Sequence, residues 1–334
     1  MKEQTHCPIC KSQYCKEMYK KKVKYPEGDI HSDLLDLNFI RNKILFDEIL
    51  KNRNPKEFCF KVCMNCGLIF FSPRPDEADM AIKYRIADEL GGTEKRERFR
   101  HVRNCVDKRA FKMHKAISNM KHIQNANVVD VGGATGLNLK YFLGTNECYV
   151  VDYQKRNLID GVKYLCKTTK DIPNSIHFAA VLFTHTLEHV VDPVEVILDI
   201  KSILEPNGIL YIEVPFDCFK EYPHVRNFMT HINFFSEGSL WHLLDMCGLN
   251  IKYLKAKPNI ANEGYIRGIV AIAENITPHN KKVNGYNITC KQMKRQYWLW
   301  LYAVLLTLWL KKFGSLGFIL RRIKRMRQAK RRWG

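Results

Sequence analysis

Two Cys-x-x-Cys pairs, Cys7/Cys10 in "CPIC" and Cys63/Cys66 in "CMNC", carry the most specific chemistry in the chain. Two such knuckles can supply four thiolates to one tetrahedral Zn²⁺. Gly67, directly after the last cysteine, suits the turn that folds beneath a metal. A closed four-sulfur site leaves no coordination position for a substrate, so its role would be structural. It would stabilise a small ribbon without a core of its own. Cys15 and Cys59 stand nearby as spare thiols.

A second set lies in "VVDVGGATG", Val128 to Gly136. The β-branched run Asn127–Val131 has the pattern of a buried parallel strand, and Leu137, Leu139, Tyr141, Phe142 and Leu143 suggest a helix after it. Strand, glycine turn and helix open a βαβ unit whose backbone N–H groups can approach a ligand. Asp130, Gly132, Gly133, Ala134 and Gly136 are the candidates there. Asp152, in "CYVVDY", follows at the tip of the next strand, where a carboxylate can accept from both hydroxyls of a ribose. This arrangement suits NAD and S-adenosylmethionine (SAM) equally.

The third set is histidine-rich. "FTHTLEHVVDP" holds His185, Glu188 and His189, and "THINFFS" holds His231. Each could act as a general base or orient a substrate, and each could equally fix a loop by hydrogen bonds.

The elements that must position these residues follow from the patterning. "ANVVDV", "ECYVVDY", "GVKYLC", "AAVLFTH", "GILYIEVP" and "RGIVAIAE" read as strands that alternate with helical stretches. That alternation predicts an α/β fold, a doubly wound parallel sheet with helices on both faces, over 125–274. Residues 1–75 form the cysteine ribbon with a Lys-rich, helix-leaning insert, and 76–124 a charged helical connector or lid. Residues 275–334 are a separate tail.

The formal net charge is +20 over 334 residues, and residues 275–334 hold fifteen Lys/Arg with no Asp or Glu. The basic character therefore belongs to the tail. Within it, Tyr297 to Leu310 is almost wholly apolar and rich in Trp, and clustered Lys/Arg follow. Lys311 and Lys312 interrupt the run before the ~20 apolar residues a spanning helix needs. An interfacial segment on an anionic membrane surface is the better expectation. A core or interface helix with a solvated basic end is the plainer alternative, and nucleic-acid binding is weaker still, for want of interleaved aromatic and basic positions. The polar start and the cysteine usage point to a reducing, cytoplasmic setting, with the protein peripheral on the inner face of the cell membrane.

The motifs, taken in order, resemble class I SAM-dependent methyltransferases. "VVDVGGATG" is similar to the family's first motif and "VVDY" to its second. His185, Leu187-Glu188-His189, Asp192-Pro193, a helix over Val194–Leu204, Leu204-x-Pro206-x-Gly208 and a strand over Ile209–Val214 resemble the segment around the fourth and fifth strands. "HINFFSEGSLWHLLDMCGL" is similar to a later stretch of one subgroup.

The resemblance implies SAM as cofactor. Backbone N–H groups of Gly133–Gly136 would approach it, and Asp130 would orient the turn or meet the ammonium group. Asp152 would hold the ribose and Tyr153 would lie against the adenine. Two departures stand out. Ala134 replaces a glycine usual in the first motif, and Thr168 stands where an acid commonly meets the adenine amine, with Asp171 further along. The catalytic candidates are His185, Glu188, His189 and His231.

The ribbon ending "CMNCGLIFFSPRP" resembles a subgroup that includes methyltransferases of deoxysugar and surface-polysaccharide synthesis. It implies a sugar or glycan acceptor, free or lipid-linked, O- or C-methylated in glycan, capsule or lipopolysaccharide synthesis. Known C-methylating members carry a large further α/β domain that the sixty-residue tail does not resemble. Other readings are a lipid-soluble or other small acceptor, and a non-catalytic zinc-containing membrane scaffold.

Overall fold

The computed structural model describes residues 1–26, 42–89, 100–216, 231–258, 267–295 and 297–298. Most of the apolar and basic tail lies outside them. Met1–Thr289 form one compact unit and Cys290–Gly334 a second. The boundaries expected at 75, 124 and 274 all fall within the first unit. No helix among the described residues is long and apolar enough to cross a membrane.

Eleven strands among the described residues form two sheets: β1 Cys15–Val23, β2 Lys56–Cys63, β3 Ile69–Ser72, β4 Asn127–Val131, β5 Glu147–Val151, β6 Val162–Cys166, β7 Phe178–Thr184, β8 Leu204–Pro215, β9 Asn233–Phe234, β10 Asn250–Pro258 and β11 Arg267–Glu274. The larger sheet has the order β10-β11-β8-β7-β4-β5-β6. Strands β4 to β8 run parallel, and β11 is antiparallel to both β8 and β10. The α/β expectation holds, but the sheet is mixed rather than wholly parallel.

All six strands read from the sequence are present, and β10 is an addition. It lies at the sheet edge and carries Lys252, Lys255 and Lys257. Lysines on an edge strand discourage pairing with another chain, and they also mask the apolar alternation that marks a strand. Strand β7, by contrast, is buried along its whole length, as a central parallel strand covered on both faces should be.

Four α-helices have described limits: α1 Glu77–Glu89, α2 Arg100–Ser118, α3 Pro193–Ile203 and α4 Glu237–Met246. On α2, Ala110, Met113 and Ile117 are buried, a helical spacing that lays one stripe on the sheet. Met113 and Ile117 join Val128, Val150, Leu182, Ile209 and Ile272 in one core.

The smaller sheet has the order β1-β2-β3-β9. Two expectations change here. Part of the Lys-rich insert is strand β1, paired antiparallel with β2, where Tyr19 stacks on Phe60 at 4.6 Å. The ribbon also has an aromatic core: Phe60 lies 5.5 Å from Phe71 and 5.6 Å from Phe234, and all three are buried. Phe234 belongs to β9, so the sheet is completed by residues that follow the larger sheet's β8 in sequence.

Candidate active site at the strand ends

Strands β4 and β7 pair in parallel, with Asp130 opposite Leu182. Their carboxyl ends therefore lie together, at the point where strand order reverses direction, which is where open α/β sheets bind ligands. Asn138 ties the two ends: its Nδ2 donates to Asp130 Oδ2 at 2.9 Å and to Thr184 Oγ1 at 3.2 Å.

The turn after β4 is tightly specified. Gly132 has φ 74° and Ala134 φ 49°, both in the left-handed region. A side chain on Gly132 would meet Thr186 Oγ1, and one on Gly133 would meet the Asp130 carboxylate. These glycines are thus required first by the turn's own packing, not only by a ligand's approach as the sequence suggested. The expected helix after the turn is a 3-10 helix, Leu137–Phe142.

Asp152 stands beside this turn. Its Oδ2 accepts from Ala134 N at 3.0 Å and its Oδ1 from Gln154 N at 3.1 Å. Each carboxylate oxygen keeps lone-pair capacity for a hydroxyl. In the same turn, Thr135 Oγ1 is buried without a hydrogen-bond partner, as a group awaiting a ligand would be. The turn thus fits the adenosyl cofactor that the sequence implied.

Tyr153 is 64% exposed, and its ring is near-parallel to that of Tyr84 on α1, at 6.2 Å. Thr168 donates its hydroxyl to Asp171 Oδ2 at 2.8 Å, and its N–H to the same oxygen at 3.0 Å. Asp171 is thereby brought beside Thr168, the residue that stands where the resembled family commonly has an acid.

On the β7 side, His185 has φ 53° and its N–H donates to Glu213 O at 2.8 Å. A non-glycine residue held in this region often marks a functional site. Glu188 is 1% exposed. Its Oε1 lies 3.6 Å from His185 Nδ1, 3.7 Å from His189 Nε2 and 4.0 Å from His231 Nε2. His185 Nε2 faces Glu213 Oε1 at 3.4 Å.

Burial alone would lower the His185 pKa, but Glu188 and Glu213 outweigh it and hold the imidazole at about 9. Burial would likewise raise Glu188, yet His189, His185 and His231 bring it down to about 2. Near neutrality His185 is therefore an imidazolium between two carboxylates. It is poorly suited to take a proton, which leaves His189 and His231 as the base candidates. All four catalytic candidates meet at one place, because Ile232 N donates to Glu188 O at 2.9 Å.

Three contributors were not singled out in the sequence. Glu213 is an acid inside the apolar run "YIEVP", a signal that was available. Asn233 Nδ2 donates to Leu187 O at 3.1 Å and to Val190 O at 2.8 Å. Buried Arg74 donates to the carbonyls of Ile232, Val190 and Val191 and to Asn233 Oδ1. No local pattern marks those last two.

The cysteines also converge. Cys7 Sγ lies 3.5 Å from Cys66 Sγ and Cys10 Sγ 3.4 Å from Cys63 Sγ, with all four sulfurs within 4.8 Å of one another. Tetrahedral Zn–S bonds of about 2.3 Å would set sulfurs about 3.8 Å apart, so the set fits such a metal. Lys11, next to Cys10, reaches Asp192 at 3.1 Å and so links this cluster to the loop after His189.

Residues 97–254 match a family model described as a methyltransferase domain. No curated protein matches the chain. Among solved structures, it is similar to 1,6-didemethyltoxoflavin-N1-methyltransferase from Burkholderia thailandensis, with bound S-adenosylhomocysteine. The identity is 16%, over 62% of this chain and 95% of that one, with a TM-score of 0.47. A SAM-dependent methyltransferase from Methanosarcina mazei is 18% identical over 48% of this chain and 97% of that one, with a TM-score of 0.39. The N-methyltransferase NodS from Bradyrhizobium japonicum is 11% identical over 50% and 86%, with a TM-score of 0.38. The family match spans the glycine turn, Asp152 and the Glu188 loop, so this part of the chain is a methyltransferase domain.

Proposed function

We propose that the domain methylates a sugar, in free, glycan or lipid-linked form, at a hydroxyl oxygen or an activated carbon. The observation that carries this reading is the polar cluster of His185, Glu188, His189 and His231 beside the glycine turn. A hydroxyl-bearing acceptor needs hydrogen-bond partners and an acceptor for its proton, and this cluster offers both. The resemblance of the cysteine-rich segment to sugar-modifying relatives supports the same class.

When bound, SAM supplies an electrophilic methyl on a sulfonium with a good leaving group. The chain's own residues then position and deprotonate. Asp152 and the turn would hold the ribose and the amino-acid end. Tyr84, parallel to Tyr153 and 6.5 Å from His189 between ring centres, lies near both halves of the site and helps exclude water. His189 or His231 accepts the proton of the acceptor hydroxyl as its oxygen takes the methyl group.

In this reading the four cysteines bind one structural Zn²⁺. The tail attaches the enzyme to the anionic inner face of the cell membrane, which would concentrate a lipid-linked acceptor. The deciding experiment offers radiolabelled SAM to the purified chain with nucleotide sugars, lipid-linked glycans and apolar small molecules. Label in the sugar acceptors is expected. Transfer confined to the apolar molecules would replace the sugar assignment.

A further inference from the structure

One carboxylate oxygen with three imidazole nitrogens around it is an unusual arrangement for a buried hydrogen-bond network. Glu188 Oε1 stands 3.6, 3.7 and 4.0 Å from the nitrogens of His185, His189 and His231. These separations exceed the roughly 2.7–3.2 Å of a hydrogen bond. Glu188 Oε2, on a side chain 1% exposed, is buried without a hydrogen-bond partner. A buried carboxylate oxygen with no donor calls for an explanation.

One ligand atom each from Glu188, His189 and His231 can be chosen so that all three lie within 4.8 Å of one another. Around a cation with bonds of about 2.1 Å, ligand atoms stand about 3.0–3.4 Å apart. Small side-chain rotations would close that difference. We propose that Glu188, His189 and His231 bind a divalent first-row transition cation, a second metal site distinct from the four cysteines.

The donor set selects the class of ion. Two imidazoles and one carboxylate suit Zn²⁺, Fe²⁺, Mn²⁺ or Co²⁺, and they leave coordination positions for water or an oxygen of the acceptor. The surroundings are built to hold such ligands. His185 bridges Glu188 to Glu213, which would orient the ligating carboxylate from behind. Arg74, Asn233 and the Ile232–Glu188 backbone bond fix the two segments that carry the ligands.

The role of the site rests on the proposed function and changes one step of it. Where the cation is bound, His189 and His231 are ligands and no longer accept the acceptor's proton. The acceptor hydroxyl then binds the cation, which lowers its pKa so that its proton leaves to solvent water. Metal binding itself does not depend on that reading.

Mn²⁺ tests the site selectively, because it prefers nitrogen and oxygen donors and competes poorly for thiolates. The purified full chain, its cysteine-bound zinc left in place and counted, is titrated with Mn²⁺ and followed by electron paramagnetic resonance. One Mn²⁺ per chain should bind, and Glu188→Gln and His231→Gln should each weaken it by more than about tenfold. The zinc count should stay unchanged in the variants. SAM affinity by calorimetry and the thermal midpoint show whether each variant is folded, and His189→Gln replaces any that is not. Absence of Mn²⁺ binding to the wild type, or unchanged binding in folded variants, overturns the proposal. SAM binding and the acceptor panel report separately on the methyl-transfer reading.

Discussion

The guanidinium of Arg74 donates to the main-chain carbonyl of Ile232, so a residue beside the cysteine-rich sheet fixes the segment that carries His231. Its second nitrogen reaches Val190 O, Val191 O and Asn233 Oδ1, which pins the loop after His189 as well. Burial lowers its pKa to about 10, which still leaves it charged near neutrality. Arg74→Lys should therefore cost about 2–4 kcal/mol, because an ammonium cannot reproduce the fork and leaves carbonyls unpaired. Urea unfolding measures this. Catalysis should fall further than the unfolded fraction explains, and a stability loss below about 0.5 kcal/mol would refute the clamp.

Asp152 has two tasks that one substitution can separate. The carboxylate holds the turn through Ala134 N and Gln154 N, and in the proposed reading it would also hold the ribose. Asp152→Ala should abolish measurable SAM binding and also destabilise the fold by about 1–2 kcal/mol, since two backbone donors lose their acceptor. Asp152→Asn keeps one acceptor oxygen and should recover part of the stability with little of the affinity. Wild-type SAM affinity in either variant, by calorimetry, would remove Asp152 from the cofactor site.

Ala134 occupies the position where the resembled family usually has glycine, and its φ of 49° gives the physical reason for that preference. An L-residue with a Cβ pays about 1 kcal/mol there. Ala134→Gly should thus be neutral or stabilising by up to about 1 kcal/mol, with SAM affinity retained. A clear loss of stability would mean that the alanine methyl packs productively.

Much of the larger sheet was legible because its central strands are β-branched runs cut off by glycine, proline or charge. What stayed hidden has local causes. The alternation of β10 is masked by its edge lysines, and the apolar pattern of Leu137–Phe142 was consistent with a longer helix. Buried Asn138 turns inward there to Asp130 and Thr184, a contact that no periodicity reveals. The four catalytic candidates were visible by residue type, but their convergence on one oxygen of Glu188 depends on the pairing of distant segments. Arg74 and Asn233 meet across |i−j| = 159, so neither carries a local signal.

Asp192 caps α3 by accepting from Val194 N at 3.0 Å and Glu195 N at 3.1 Å. Its partial burial would raise the carboxyl pKa, but those N–H groups and Lys11 hold it below the usual value. A depressed folded pKa contributes stability above the unfolded value, about 3.9, and loses it as pH falls through the folded one. Asp192→Ala should cost about 1 kcal/mol at pH 7, and the difference from wild type should shrink as pH falls below about 4. Urea midpoints at pH 7, 5 and 3.5 test this. An undiminished difference at pH 3.5 would show that the charged cap is not its source.

Removal of metal from the cysteines should reach the active site without unfolding the whole chain. Thr289 Oγ1 donates to Gly67 O at 3.1 Å, directly after Cys66, and shares a hydrogen bond with Ser236, the cap of α4. Gly67 itself has φ 81° and no room for a side chain beside Gly285 and Thr289. Through β9 the same sheet holds Phe234, three residues after His231, and Lys11 ties the first knuckle to Asp192. A ribbon without a core would collapse when its metal left, but Phe60, Phe71 and Phe234 bury a core of their own. The wild type should contain about one zinc bound by Cys7, Cys10, Cys63 and Cys66. Release with a mercurial and a chelator, or Cys63→Ser, should lower the thermal midpoint and cut methyl transfer sharply. The circular dichroism of the larger sheet should persist, and SAM affinity should change little, because Asp152 and the glycine turn belong to that sheet. Full activity in a zinc-free chain would show that the cysteines bind no structural metal. Complete unfolding on zinc release would show instead that the aromatic core cannot stand alone.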